Sequence, residues 1–254
     1  MSPRTGAVAI VPVRVGSQRL PGKALLAESG KPLFLHTWER TVAAGCFDAC
    51  VVATDDADVA AAAERAGAPV VLTSPACRTG SERCSEAARS LEGKVFVDVQ
   101  GDWPEVDPDD LRTLATTLLD TGADCATLAC ELRLPDDDAK LRDPNVVKVV
   151  AGLGGRALYF SREPIPHVKP GAPPFPRMRH IGVYAFRRDV LLRLPSLPSS
   201  GLDEAESLEQ LRFLENGIQI LVLTARGAPW GIENRADYDQ FLAREALRTK
   251  RSRT

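Results

Sequence analysis

The chain has 254 residues, 44% hydrophobic and 26% charged, and its 32 basic and 34 acidic side chains leave a formal net charge of −2. This is an ordinary globular composition, with room for one large domain or one domain and a subdomain. It lacks the basic excess of a general nucleic-acid binder, and no apolar run reaches the length that spans a bilayer. Six cysteines, at 46, 50, 77, 84, 125 and 130, form no C-x-x-C pair, and there are only three histidines. Zinc-ligand spacing is therefore absent. Scattered cysteines with no charged-then-apolar leader read as reduced, mostly buried thiols of a cytoplasmic protein.

Taken in chain order, Ala7–Val13 is a short apolar run that ends at a glycine-containing loop, as a buried parallel strand does. Residues 32–45 carry helical periodicity with Gly45 as the stop signal. Cys50–Thr54 predicts a strand, and Asp55-Asp56 open a helix through Ala66, where acidic residues suit the N-terminal dipole. A strand at Pro69–Thr73, a helix at Ser81–Leu91, a strand at Lys94–Val99, a helix at Leu111–Asp120 and a strand at Cys125–Leu132 follow. The second half is more mixed. Val146–Ala151 and Ala157–Ser161 flank Gly152–Gly155 as a hairpin, and the proline-rich stretch 163–178 predicts an irregular, mobile loop. A strand at His180–Phe186, a helix near 203–216, a strand at 218–224 and a helix from about 235 complete the pattern, with 249–254 as a frayed basic tail. Alternating strands and helices predict an α/β fold: a mostly parallel sheet with helices on both faces and a smaller, mixed second-half subdomain. Ligands of such sheets bind beyond the carboxyl ends of the strands. That rule selects the loops 14–24, 73–83 and 100–106.

The first of these loops runs Arg14-Val-Gly-Ser-Gln-Arg19-Leu-Pro-Gly-Lys23 and combines three cations, two glycines and a serine. Glycines let backbone N–H groups approach phosphate oxygens, Arg offers a rigid fork and Lys a mobile point charge. It is not a Walker A loop, because five residues separate Gly16 from Gly22 and Ala24 stands where Ser or Thr would hold magnesium. The dinucleotide fingerprint G-x-G-x-x-G is also missing, which excludes a dehydrogenase built on a similar sheet. The bland alternative is a solvated basic turn.

The run V-P-V-R-x-G-S-x-R-L-P-G-K resembles the signature loop of the 3-deoxy-manno-octulosonate (Kdo) cytidylyltransferases, or CMP-Kdo synthetases. Further matches follow in order: A-T-D-D at 53–56, R-T-G-S-E-R at 78–83, V-Q-G-D at 99–102, D-P-N-V-V-K at 143–148, A-L-Y-F-S-R at 157–162, R-H-I-G-V-Y at 179–184 and E-S-L-E-Q-L-R at 206–212. The resemblance spans about residues 7–240, and it is this ordered set that makes it specific. It implies a Rossmann-like nucleotidyltransferase fold as a single domain. Residues 1–135 would form a nucleotide-binding half, and 136–240 a half for acceptor binding and dimerisation. It further implies a Mg²⁺-dependent attack by an acceptor oxygen on the α-phosphorus of CTP with release of pyrophosphate, in a homodimer that engages neither membrane nor nucleic acid. Charge then develops on the leaving group, so catalysis is mainly positioning plus cationic stabilisation.

By the same resemblance, Arg14, Ser17, Arg19 and Lys23 hold the triphosphate, with Arg14, Lys23 and Asp102 as catalytic residues. Arg78, Thr79, Gly80 and Arg83 shape the cytosine and ribose pocket. Gln100, Arg162, His180, Tyr184, Glu209 and Gln210 line the acceptor pocket. Asp102 ligates magnesium with Glu233 as second carboxylate and Asp237 in reserve, since a hard divalent cation needs oxygen ligands. Each has a bland rival: Arg83 as a partner of Glu82 or Glu86, His180 as a satisfied core histidine, and Glu209 and Gln210 as ordinary helix-surface residues.

Four departures from the family pattern stand out. Ala76-Cys77 replace an Asp-His pair, and Trp103 replaces the glutamate of Q-G-D-E-P. L-E-H-x-E reads Leu202-Asp-Glu-Ala-Glu206, and V-D-T-P-E-D-L reads Ile232-Glu-Asn-Arg-Ala-Asp-Tyr238. Most of these changes fall on the acceptor side and around the metal. Trp103, counted with the acceptor pocket, would reduce its volume and remove a negative charge. On that ground the expected acceptor is a small non-Kdo acid such as phosphonoformate, as in phosphonate antibiotic pathways, with Kdo itself as the alternative. A catalytically silent nucleotide-binding homologue is the reading from a different class.

Overall fold

The computed structural model describes residues 5–17 and 19–251. Its nine strands form one sheet whose main path runs β3-β2-β1-β4-β8-β5-β9. The elements are β1 (Ala7–Pro12), β2 (Ala49–Thr54), β3 (Val70–Leu72), β4 (Val95–Val99), β5 (Cys125–Glu131), β6 (Lys148–Ala151), β7 (Ala157–Ser161), β8 (Met178–Arg187) and β9 (Ile220–Thr224). β1 pairs in parallel with β2 and β4, β2 with β3, and β5 with β9. β8 is the antiparallel insertion between β4 and β5. The β6–β7 hairpin attaches to the start of β8. Strands from both halves of the chain thus share one sheet.

Alternate residues of a strand face opposite sides. Ala7 and Val11 of β1 pack with α1 (Leu33–Ala43), α2 (Ala57–Arg65) and α4 (Pro108–Thr121). Val8 and Ile10 pack with α3 (Gly80–Ala88), α6 (Arg188–Arg193) and α8 (Glu209–Glu215). The sheet therefore carries two separate apolar layers, one on each face. Helix stops and starts follow local chemistry. Gly45 adopts φ +64° just beyond α1. Asp56 is not the first helical residue of α2 but its cap, accepting from the Asp58 and Val59 N–H groups.

The single helix expected near 203–216 is two helices, α7 (Gly201–Glu206) and α8, broken at Ser207 with φ +51°. The cause lies outside the helix. Arg162 Nε donates to Glu206 O (2.6 Å) and Nη2 to Ser207 O (3.2 Å). The Glu206 carboxylate in turn accepts from Ser161 Oγ and the Arg162 N–H. Carbonyls drawn to a guanidinium do not continue a helical ladder. Two short helices, α5 (Asp138–Arg142) and α6, carry too few residues for periodicity to announce them. The last helix, α9 (Arg235–Arg251), runs into the stretch expected to fray, and 252–254 lie outside the described residues. Residues 163–177 contain neither helix nor strand.

Tyr238 and Phe241 of α9 bury against Leu33 together with Ile232. Each such side chain stabilises the docking by about 1.5–3 kcal/mol when fully buried. This docking brings the segment before α9 to the end of β4, where the Ile232 N–H donates to Asp102 O (2.9 Å).

Candidate active site

The loops after β1, β2, β3 and β4 converge at the carboxyl edge of the sheet. They enclose a cleft of about 270 Å³ lined by Arg14, Val15, Gly16, Asp55, Asp56, Pro75, Cys77 and Arg83. A smaller recess of about 60 Å³ shares Arg14, Cys77 and Arg83 with it and reaches Thr79, Gly80 and Gln100. The loop after β2, absent from the three selected on sequence, contributes Asp55 and Asp56. Cys77, where the family pattern has histidine, donates from Sγ to Glu86 Oε2 (3.2 Å). Burial and that carboxylate push its thiol up to about 11, so it is not a nucleophile at neutral pH.

The signature loop is organised by its own backbone. Ser17 Oγ accepts from the Leu20 N–H (3.3 Å), and Gly22 adopts φ +67° ahead of a one-turn 3-10 helix, Lys23–Leu25. Gln18 lies outside the described residues. Arg14 is exposed at the cleft mouth. Lys23 Nζ reaches Asp102 Oδ2 (2.6 Å) and Ile232 O (2.8 Å), and Glu233 Oε2 lies 3.9 Å away. Arg19 bridges Glu233 Oε2 (2.9 Å) and Asn145 Oδ1 (2.9 Å). Two loop cations are thus held by the two carboxylates expected to ligate magnesium.

Asp237, the reserve ligand, is engaged elsewhere. Its Oδ2 accepts from the Glu233 and Asn234 N–H groups, and its own N–H donates to Asn234 Oδ1. This is a reciprocal cap of α9. Among the described residues no three His, Cys, Asp or Glu side chains gather as a ready metal cage. Two hard carboxylates beside a loop of three cations nevertheless fit Mg²⁺, which keeps most of its waters and takes one or two carboxylates plus substrate phosphate oxygens.

The cytosine-side candidates divide. Arg83 lines both recesses, but its buried guanidinium is fixed by Asp55 Oδ1 (2.9 Å) and Thr73 Oγ1, neither of them the expected Glu82 or Glu86. Arg78 turns outward to Glu82 with its side chain 65% exposed and lines neither recess. Thr79 caps α3 by accepting from the Glu82 N–H, and a Cβ on Gly80 would collide with the Gln100 amide. Glycine at 80 is what lets Gln100 lie over the start of α3.

The acceptor candidates also divide. Gln100 Nε2 donates to Asp98 Oδ1 (2.6 Å), and Ser81 Oγ lies 3.3 Å from Asp98 Oδ2 and 2.8 Å from Glu209 Oε1. Tyr184 is the cross-strand partner of Asp98, and the His180 ring lies beside it at 5.4 Å. Gln100, Tyr184, His180 and Glu209 therefore form one neighbourhood, with Gln210 buried next in chain. Glu209 is no helix-surface residue: burial raises its carboxyl above the usual range, and Oε2 is buried with no partner. His180 bonds Thr127 Oγ1 (2.9 Å), and desolvation lowers it to about 3, so it is neutral across the working range. Arg162 is spent on the carbonyls of Pro144, Glu206 and Ser207.

Trp103 stands apart. It packs with the α1/α4 layer and lies against Gly182 and Gly231, where a Cβ on Gly231 would come 3.2 Å from the indole. It lines neither recess. Asp98, Ser81 and Asp55 went unselected in the sequence. The available signal was a carboxylate inside the apolar run Val95–Val99.

A Rossmann-like sheet with a cation-bearing loop after β1 and a carboxylate at the end of β4 defines a nucleotidyltransferase. The chain belongs to the cytidylyltransferase family, whose model, described as "Cytidylyltransferase", matches residues 8–220. It is 43% identical to a 3-deoxy-manno-octulosonate cytidylyltransferase of Chlorobium phaeovibrioides, over 98% of this chain and 99% of that one. Identity to the Myxococcus xanthus protein of the same name is 45%, covering 84% of this chain and 85% of that one. A solved CMP:2-keto-3-deoxy-manno-octonic acid synthetase, complexed with CTP, superposes with a TM-score of 0.89 at 36% identity, covering 95% of this chain and 99% of that one. An inositol-1-phosphate CTP transferase from T. maritima shares the fold at TM-score 0.67 and 14% identity, covering 94% of this chain and 95% of that one.

Proposed function

We propose that this enzyme transfers CMP from CTP to 3-deoxy-manno-octulosonate and releases pyrophosphate. The observation that carries the reading is the end-to-end similarity, at 43–44% identity, to proteins named for that reaction. It takes precedence over phosphonoformate, the acceptor favoured by the sequence departures alone. That expectation rested on Trp103 narrowing the acceptor pocket, and the indole sits instead against Gly182 and Gly231. The unpartnered Glu209 Oε2 also favours a polyhydroxylated acid. Any of several sugar hydroxyls can donate to it.

In this reading Arg14, Arg19 and Lys23 draw the triphosphate to the edge of the sheet, and Lys23 and Arg19 exchange Asp102 and Glu233 for phosphate oxygens. Asp102 and Glu233, released from those cations, would hold Mg²⁺. When bound, the ion supplies charge neutralisation at the phosphates and lowers the cost of the developing pyrophosphate charge. Arg83, fixed by Asp55, forms a rigid wall of the nucleotide cleft. Gln100, Tyr184 and Glu209 orient the acceptor so that its oxygen faces the α-phosphorus, which is worth several kcal/mol through proximity.

The test is phosphorus NMR of the enzyme with CTP, Mg²⁺ and Kdo. Pyrophosphate and a new CMP phosphodiester signal are expected together. Intact CTP, with nucleotide binding demonstrated separately, would overturn the acceptor and leave another acid or a silent nucleotide-binding protein.

A further inference from the structure

Asp98 is the acidic residue that the family comparison assigns to nothing. It lies on β4, buried on the α3/α8 side, two residues before Gln100 and four before Asp102. Its surroundings can be enumerated element by element. On its own strand the Gln100 amide donates to Oδ1. From α3 come the Ser81 hydroxyl and the Cys84 thiol, from β8 the Tyr184 phenol, and from α8 the carboxylate of Glu209. Cys125 of β5 is the remaining titratable neighbour. None of these groups is a cation. The nearby Arg212 and Glu82 act on Glu209 instead, with opposite signs.

Two buried carboxyls are therefore joined through one hydroxyl that has one proton to give. If both were ionised, Ser81 could serve only one of them, leaving Gln100 and the weak Cys84 thiol at Asp98 and Thr79 beside Glu209. Two like charges would then share a site of low dielectric with no cation between them. One added proton resolves the network. An Asp98 O–H donates to Ser81 Oγ across 3.3 Å, and Ser81 O–H donates to Glu209 Oε1 across 2.8 Å. The carbonyl oxygen of Asp98 is left to accept from Gln100 at 2.6 Å. Arg212 beside Glu209 settles which member keeps the charge.

We propose that Asp98 is a neutral, proton-holding positioning residue of the acceptor pocket. Paired with Glu209 through Ser81, it fixes the Gln100 amide so that its carbonyl oxygen is left for the acceptor. It keeps the floor of the pocket at one negative charge instead of two. Only the kinetic part of this inference rests on the acceptor reading above. The direction of the titration agrees, since burial and Glu209 raise the Asp98 carboxyl to about 8. Above that pH a second charge appears beside the site of an anionic acceptor.

The test is the Asp98→Asn variant, which has the shape of the protonated acid and no proton to lose, beside Asp98→Ala. In thermal unfolding, a native carboxyl protonated up to about pH 8 and ionised when unfolded costs about tenfold in the folding equilibrium per pH unit. Wild-type Tm is thus expected to fall relative to D98N between pH 6 and 8 and to run parallel above. A gap that is constant with pH overturns the proposal, whatever the acceptor is. Should D98N fail to fold, Glu209→Gln removes the other charge and is expected to flatten the same slope; an unchanged slope overturns the proposal. In turnover, wild-type acceptor KM is expected to rise several-fold above pH 8 while CTP KM holds. D98N should keep acceptor KM flat, and D98A should raise it about tenfold at every pH. Asn failing to rescue what Ala loses contradicts the positioning role. Absence of turnover in wild type overturns the acceptor reading and leaves the unfolding experiment to decide this one.

Discussion

On the side of the cleft proposed here for the nucleotide, the loop cations are exposed or half-buried and held by carboxylates they can leave. Arg19 is on Glu233 and Lys23 on Asp102. On the acceptor side the polar groups are buried and bonded to one another, from Gln100 through Asp98 and Ser81 to Glu209. The difference separates two ways of preparing a site. A highly charged, mobile ligand is met by charges that exchange partners, at small cost for the exposed Arg19–Glu233 pair and at a larger one for Lys23–Asp102, whose side chains are 14% and 23% exposed. A ligand recognised by shape and hydroxyl groups is met by a fixed network, where each unsatisfied atom is costly.

Removing the exchangeable charges should give the largest effects. Chelating divalent cations is expected to reduce pyrophosphate release to background, and Asp102→Asn or Lys23→Met to lower kcat by roughly 10²–10³-fold. Circular dichroism should show an unchanged fold in both variants. Retained turnover in D102N would remove Asp102 from the catalytic set. A structural cation offers the contrast. Arg83 is 4% exposed, but its partner Asp55 is open to water, so Arg83→Met should cost about 1.5–3 kcal/mol of stability through its lost charged hydrogen bonds. Denaturant unfolding measures this directly.

Acid is a finer probe. Burial lowers His180 to about 3 and His36 to about 4, both below the unfolded value near 6.5. The native state binds fewer protons than the unfolded chain in that window. The stability is therefore complete above about pH 6.5 and is lost as pH falls, by up to about 1.4 kcal/mol per unit for each histidine. Because the raised carboxyl of Asp98 acts in the opposite sense, the comparison is with His36→Gln: a Tm gap to wild type that stays constant from pH 7 to pH 4 would contradict the burial of His36 as a neutral ring. The smallest effect is expected at Trp103. Because the indole packs into the α1/α4 layer against Gly182 and Gly231, Trp103→Phe should change acceptor KM by no more than about threefold, a figure below one kcal/mol. A large change would place it back in the pocket.

What was legible in the sequence follows the same division. The strands and the β1 loop could be read directly, because apolar runs and clustered Arg, Gly and Lys are local signals. Lys23, Asp102 and Glu233 come together as the ordered motifs imply, although α9 carries Glu233 in from more than a hundred residues away. The break at Ser207 was not legible, since it depends on Arg162 capturing carbonyls from another element. Nor was Arg83's partner: Glu82 and Glu86 are near in sequence, whereas Asp55 is brought by the packing of β2 beside α3. The packing of Trp103 was not legible either, because composition at one position does not say which apolar layer a ring joins. Asp98 was overlooked because a lone carboxylate in a strand acquires meaning only once Glu209 is beside it.

The central claim is tested most directly by kcat/KM for CTP-dependent pyrophosphate release with Kdo and with phosphonoformate under identical conditions. Turnover with Kdo is expected, with at least a hundredfold preference over phosphonoformate, about 2.7 kcal/mol in transition-state binding. Equal turnover, or a preference for phosphonoformate, would contradict it and show that the acceptor side was rebuilt for a small anion.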